Sequence, residues 1–420
     1  MSDPGPLAPA EAARRILAAI PRQPELRIPL DDALGAVLAR QVVSPLDIPA
    51  HTNSAMDGYA ARSEDVRGAT AEAPRRLRVV ETIPAGRFPS VAIVAGQAAR
   101  IFTGAPLPEG ADSVIRQEDT DQGVEEVRVF KDRDAGVNIR RAGEDLRKGD
   151  VALEPGCELG PAELGVLASL AVAHPVVYRR PRVAILGSGD EIADLDRPEE
   201  ILSGRKVASS NTHTLLALVR RAGGEPVNLG IAADTRESVR DHLLRGLECD
   251  LLVTTAGISV GEHDHLRAVL GELGADLRFW KLRMRPGAPV GFGILRGVPW
   301  IGLPGNPVST MVTFELFVRP AIRHMMGHSL PFRRAVPVRV AEPIRLGPRL
   351  QHFLRGVVTP GGNGRLEARL TGPQGSGILT SMVKANALLV VPEGQHETPA
   401  GEEIQAVLLD DPRHVAEPPW

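Results

Sequence analysis

A chain of 420 residues carrying 49 basic and 52 acidic side chains, with formal net charge −3, has room for about two to four domains and lacks the basic excess of a polyanion-binding protein. Apolar residues at 43% exclude a disordered chain, and 43 Gly with 36 Pro exclude a coiled coil or helical solenoid in favour of many short elements. The two cysteines, Cys157 and Cys249, give neither a zinc spacing nor a disulfide framework, the start at Met1 has no secretory pattern, and no apolar run is long enough to span a bilayer, so a cytoplasmic protein using neither nucleic acid nor membrane is expected.

Taken in order, residues 9–20 predict a short helix with Ala12, Ile16, Leu17 and Ile20 on one face, and 30–39 a second with Leu30, Leu34, Val37 and Leu38. From Pro45 to Asp150 short β-type runs at 77–80, 99–102, 113–115 and 127–130 alternate with Gly, Pro and Asp clusters, the texture of an all-β module. A helix fits 161–171. From Pro181 strands near 182–186, 226–230, 250–255, 277–282 and 299–303 alternate with helices at 211–222 (capped by Asn211), 236–247, 264–273 and 307–326. That alternation predicts a doubly wound α/β domain over about 180–328, its parallel sheet covered on both faces. Past Pro331, strands at 336–340, 353–358, 366–370, 387–391 and 404–408 predict a small β-barrel or sandwich, so the fold class is α/β plus all-β domains.

In an open parallel sheet ligands bind beyond the carboxyl ends of the strands. The residues there are Gly187 to Glu191, Ala232 to Thr235, Ala256 to Asp264, Arg283 to Gly287 and Pro304 to Ser309. Gly-rich turns entering helices offer bare N–H groups to an anion, Asp190, Glu191, Asp234, Glu262 and Asp264 could hold a hard cation such as Mg2+, and Lys281, Arg283 and Arg285 could neutralise an oxyanion. Together they suggest phosphoryl or nucleotide chemistry. Asp234 and Asp264 could equally be helix N-caps. Gly257 to Gly261 fits the G-x-S-x-G nucleophile elbow, but Glu262-His263-Asp264 delay the helix that the elbow requires. His263 and His265, two apart, point away from each other on a helix and make a poor metal pair.

The segments Asn53 to Ala60, Phe102 to Asp112, Arg140 to Asp145, Gly189 to Glu191, Ser259 to Asp264 and Gly302 to Ser309, in this order, resemble the molybdopterin molybdenumtransferase family, the MoeA family, which includes the gephyrin E domain. The resemblance runs from Asp47 to Gly394. It implies an elongated four-domain protomer: domain I at 1–46 and 150–179, an inserted β domain II at 47–149, a domain III at 180–328 resembling molybdopterin adenylyltransferase, and a β-barrel domain IV at 329–420. It implies a homodimer with a shared active cleft and insertion of molybdate into adenylylated molybdopterin with release of AMP, supported by Mg2+. A molybdopterin adenylyltransferase is the implied protein partner.

By the same resemblance Asp57, Thr103 and Asp145 match polar positions linked to activity. Glu191, Asp234 and Asp264 match acidic positions, which are also the implied metal ligands. Gly257, Ser259, Gly261, Lys281 and Arg285 match substrate-binding positions, and Pro304 and Pro307 shape the Gly305-Asn306 loop. Arg355 and Ser376 match fourth-domain positions lining the cleft, with Arg349 competing for the role of Arg355. Three departures stand out. Ala256 replaces the first of two glycines, and Arg285-Pro286-Gly287-Ala288-Pro289 stands where the family commonly reads Lys-Pro-Gly-Lys-Pro, so Arg285 turns a point charge into a planar fork and Ala288 removes a charge. Molybdopterin adenylyltransferase activity, or a non-catalytic gephyrin-like scaffold, are the alternatives, separable by ATP consumption and by peptide binding without any effect of molybdate.

Overall fold

The structure, a computed structural model, describes residues 5–257, 265–347 and 350–409. The chain forms two compact units, one of 1–39, 155–160 and 174–420 and the other of 40–154 and 161–173.

The first unit is built on a six-stranded sheet: β1 (Arg182–Ser188), β2 (Glu225–Ala232), β3 (Leu251–Thr255), β4 (Asp276–Phe279), β5 (Gly291–Leu295) and β6 (Val298–Leu303), in spatial order β2-β1-β3-β6-β5-β4. The first four in that order are parallel, and β5 and β4 continue the edge antiparallel. Every residue of β3 is buried, as a strand covered on both faces demands. Val183 and Ile185 face helix α1 (Ser210–Ala222) and the helical run 307–325 through Leu215, Val219, Val312 and Phe314. Ala184 and Leu186 face α2 (Arg236–Gly246) and α3 (His265–Glu272) through Val239, Leu243, Leu266 and Leu270. The period-two alternation along each strand therefore feeds two separate cores.

Two details of the sheet differ from the sequence reading. The strand expected at 277–282 stops at Phe279 and joins the sheet only through β5, a strand that runs against all the others and has no counterpart in the expectation. Glycines disguise β5: a Cβ on Gly291 would stand 2.5 Å from the Trp300 ring, and one on Gly293 would stand 2.8 Å from the Asp276 carbonyl. Gly there is the condition for close packing against the Trp280–Trp300 stack, whose centroids are 5.4 Å apart.

The helix expected at 307–326 begins with α4 (Pro307–Thr313), widens into a π turn at Phe314–Val318 and resumes at Arg319–Met325. Pro320 has no N–H for the preceding turn, which accounts for the wider register. At the N-terminus, Pro9–Ala19 is helical and buries Ala12, Ala13 and Ile16 in the first core. The second expected helix, 30–39, is only a 3-10 turn at Leu30–Asp32, because Gly35 takes φ +71° and Val37 and Leu38 bridge to Glu158 and Val177.

His328 is buried just past this helical run. Arg323 Nη2 lies 3.0 Å from His328 Nδ1, and since a guanidinium only donates, Nδ1 accepts and the ring is neutral. Burial first, and then the charges of Arg323 and Arg319, hold its pKa at about 3. The 3.8 Å approach to Glu158 is therefore no ion pair near neutral pH. The unfolded chain takes up this proton near pH 6.5 and the folded chain does not, so His328 supports stability above pH 6.5 and loses that support as pH falls toward 3, by at most about 5 kcal/mol. Urea midpoints measured between pH 7 and pH 4 are expected to fall more steeply for the parent than for His328→Gln, and parallel slopes would refute this.

The same unit ends in a barrel of β7 (Ala335–Val340), β8 (Gln351–Pro360), β9 (Leu366–Leu370), β10 (Ala387–Val391) and β11 (Glu403–Leu408). β8 pairs with β9, β9 with β7, β7 with β11, β11 with β10, and β10 returns to β8, which closes the ring and removes its edges. Val338, Leu354, Val358, Ala368, Leu389 and Ala406 fill it. Met284–Arg285, from the α/β part, adds a short parallel pairing to Gln351 and His352 of β8.

The second unit carries a five-stranded sheet in the spatial order Ser113–Arg116, Gly58–Ala61, Gln97–Ile101, Arg75–Ile83, Glu126–Val129. Tyr59, Leu77, Ile115 and Val127 pack on one face, and Ala60, Ile83, Ile101 and Val114 on the other. The helix Pro161–Ser169 belongs to this unit. Among the described residues no helix is long and apolar enough to cross a membrane.

Candidate functional site

The chain passes from β1 to β2 on one side and then to β3 on the other, so the carboxyl ends of β1 and β3 flank a topological switch point. A cavity of about 370 Å³ opens there, lined by Glu191, Ile192, Ala256, Gly257, Pro289, Pro304, Gly305 and Asn306. A second, of about 20 Å³, lies among Ser188, Asp234, Thr254, Gly257 and His265, and Gly257 is common to both. The smaller holds about one water.

Each loop is held by identifiable bonds. Asp190 N–H donates to Asp234 Oδ2 at 3.3 Å, and Asp234 N–H donates to Asp190 Oδ1 at 3.1 Å, which clamps the first two strand ends together. Gly189 takes φ +133°, and a Cβ there would meet the Glu191 carboxylate at 2.5 Å. Only glycine lets that carboxylate fold back over the turn. The cap of α2 is Thr235, whose side chain accepts the Ser238 N–H at 3.2 Å. Asp234 is thus not the cap; its carboxylate, with Oδ2 accepting the Asp190 N–H, lines the smaller cavity.

Asn211 also departs from expectation. The N-cap position of α1 is Ser209, while Asn211 Nδ2 donates to Thr255 Oγ1 at 3.0 Å and to the Gly305 carbonyl at 2.7 Å. One amide therefore ties the ends of β3 and β6. The turn after β6 is pinned by Thr310 Oγ1 donating to the Pro304 carbonyl at 2.6 Å and by Pro307 at the first position of α4. Asn306 Nδ2 donates to Ser376 Oγ at 3.0 Å, and Val308 N–H to the Ser376 carbonyl at 3.1 Å. The barrel loop around Ser376 is thereby tied to the turn after β6.

The basic residues are placed differently. Lys281 is exposed, its carbonyl accepts the Leu7 N–H at 3.1 Å, and it lines neither cavity. Arg285 and Arg355 meet at a separate cleft of about 320 Å³ in the barrel, with Arg345, His352, Gln374 and Gly375. Arg355 is fully buried. It donates from Nε to Ser381 Oγ at 3.0 Å and from Nη2 to the Gly375 carbonyl at 2.9 Å, while Nη1 has no partner among the described residues. Burial lowers its pKa. A buried guanidinium with an unfilled donor suits an anion. Arg349, Ser259, Gly261, His263 and Asp264 lie outside the described residues.

Among the described residues no three His, Cys, Asp or Glu side chains gather where a metal could sit. Magnesium needs less: one or two carboxylates, water and substrate phosphate oxygens suffice. The paired loops of Asp190 and Asp234, with Glu191 on the neighbouring cavity, meet that requirement.

In the second unit Asp57 and Thr103 stand together. Thr103 N–H and Oγ1 both donate to Asp57 Oδ1 at 2.8 Å, and these bonds, with Arg100 behind them, hold the Asp57 carboxyl below the usual range. They line a cleft of about 500 Å³ with Met56, Arg116, Gln117, Glu118 and Arg133. Asp145 is exposed on a neighbouring loop whose main chain bonds Ile48. It does not line that cleft.

Comparison with known proteins places these features. Residues 7–171 match the MoeA N-terminal region (domain I and II), 184–324 a "Probable molybdopterin binding domain", and 337–409 the MoeA C-terminal region (domain IV). Molybdopterin molybdenumtransferase 2 of Mycobacterium tuberculosis is 38% identical over 388 residues, 90% of this chain and 94% of that one. The molybdopterin molybdenumtransferase of a Nostoc species is 35% identical, covering 90% and 87%. The crystal structure of the molybdopterin biosynthesis moeA protein of Pyrococcus horikoshii superposes with TM-score 0.81 at 29% identity, over 96% of this chain and 100% of that one. With matches in sequence over most of its length and in fold over nearly all of it, this chain belongs to the MoeA family.

Proposed function

We propose that this protein is a molybdopterin molybdenumtransferase that inserts molybdate into adenylylated molybdopterin and releases AMP. The observation that carries the reading is the switch-point crevice, where carboxylates, glycine turns and the Pro304–Pro307 loop meet in a chain related to named molybdenumtransferases over most of its length. The crevice holds the phosphate-bearing part of the substrate on the turns at Gly257 and Gly305, with Asn211 keeping those turns in register. Glu191 and Asp234, joined by Asp264, are the residues that would hold Mg2+, which when bound neutralises charge on the phosphoanhydride. Arg355, whose Nη1 has no partner among the described residues, and Arg285 attract oxyanion at the barrel cleft.

The protein works as a cytoplasmic homodimer, the Asp57–Thr103 cleft of one protomer completing the crevice of its partner. Its substrate comes from a molybdopterin adenylyltransferase. The purified protein, given adenylylated molybdopterin, Mg2+ and molybdate, is expected to release AMP only when the oxyanion is present. Consumption of ATP instead, or no nucleotide product at all, would overturn the assignment, and a monomeric sedimentation profile would overturn the shared cleft.

A further inference from the structure

The cleft beside Asp57 contains an amide whose orientation is decided by its neighbour. Arg100 lies in the strand Gln97–Ile101, directly across from Tyr59. Its guanidinium carbon is 4.9 Å from the centroid of the Tyr59 ring and 5.2 Å from that of Phe102, so the planar head is confined by two aromatic faces. From there Nη2 donates to Gln117 Oε1 at 2.5 Å, and Nη1 reaches toward the Gly58 carbonyl at 3.5 Å. A guanidinium has no acceptor, so the oxygen of the Gln117 amide must face Arg100 and its Nε2 must face away. Gln117 is half-buried and lines the cleft. Its own N–H donates to the Asp57 carbonyl at 3.2 Å, which sets the two residues side by side. Both Thr103 donors go to Asp57 Oδ1, which leaves Oδ2 for the cleft.

We infer that Gln117 is a substrate-binding residue and Arg100 its positioning residue, and that the Gln117 amide and the Asp57 carboxylate together take the N–H and C=O edge of the pterin ring. This rests on the reading of the chain as an enzyme acting on molybdopterin. The charges of the cleft favour that edge over a phosphate. Arg116 is already bound to Asp134 at 2.8 Å and Arg133 to Asp119 at 2.6 Å. The carboxylates of Asp57 and Glu118 repel an anion, while a cyclic amide edge offers Asp57 a donor and Gln117 an acceptor.

The discriminating variant is Gln117→Glu. It preserves and charge-strengthens the bond to Arg100 but replaces the outward donor by an acceptor, so a purely structural Gln117 would tolerate it. Substrate recognition instead predicts a rise in KM of about tenfold or more, with kcat within about twofold and the thermal midpoint unchanged. Gln117→Leu and Arg100→Met are each expected to raise KM about tenfold, and the double variant no more than either alone, because Arg100 acts through Gln117. Parent-like KM in Gln117→Glu, or additive losses in the double variant, would overturn the assignment even in a fully active enzyme. Fluorescence titration with 6-hydroxymethylpterin tests the subsite without turnover. Binding weakened about tenfold in Gln117→Glu supports it, and absent binding to the parent, or equal binding to both, defeats it whatever the fate of the transferase reading.

Discussion

Asp234→Asn and Glu191→Gln are each expected to lower molybdate-dependent AMP release about 100-fold or more while the thermal midpoint moves by no more than about 2 °C. The two expectations come from different bonds. Asn keeps an oxygen for the Asp190 N–H, so the clamp between the first two strand ends survives and only the charge is lost. Glu191 lines the open cavity, so an isosteric amide removes charge without disturbing a core. The neighbour Thr235 separates stability from chemistry. It is the residue that caps α2, and Thr235→Ala is expected to cost about 1 kcal/mol of stability. AMP release within about threefold of the parent in both acidic variants would remove these carboxylates from the mechanism.

The largest structural effect is expected at Gly58. Its strand is paired on both sides, with Gly58 opposite Ile101 and Arg116. A Cβ at this position would lie 2.0 Å from the Ile115 carbonyl oxygen and 2.8 Å from its carbon. No side chain can rotate to relieve a contact with backbone, so the strand itself has to part. Gly58→Ala is therefore expected to destabilise its unit by at least about 3 kcal/mol, seen as an early unfolding transition or accelerated proteolysis within 40–154. It should also disturb Asp57, whose carbonyl accepts the Gln117 N–H across the same pairing. An unaltered unfolding profile would show that the two strands approach less closely than described.

The legibility of the fold tracks how strongly burial constrained each segment. β1 and β3 are short apolar runs between turn signals, and a strand buried on both faces leaves no other solution. The barrel strands were legible from their alternation, although only pairing could show that they close. β5 was hidden because its glycines answer to tryptophans distant in the chain, and the 30–39 segment looked amphipathic but carries Gly35 in a left-handed conformation. In the candidate site, residue types and loop ends were readable. The partners of Asn211, Arg285 and Arg355 were not. Asn at the start of a helix ordinarily signals a cap, and nothing local says that its amide will cross to Thr255 and Gly305. The direction in which an arginine points is likewise set by strand register, which placed Arg285 beside His352.

The link between barrel and crevice has a practical bearing on cutting the gene into pieces. An excised 180–328 fragment would keep both faces of its sheet covered, but it would display Met284–Arg285 without β8 and leave the Asn306 amide with no Ser376 to answer it. Chimeras that exchange the barrel between relatives should therefore carry the 284–289 and 372–377 stretches as one matched set, since a mismatched graft would misalign the turn at Gly305 and Asn306 even where each half folds well.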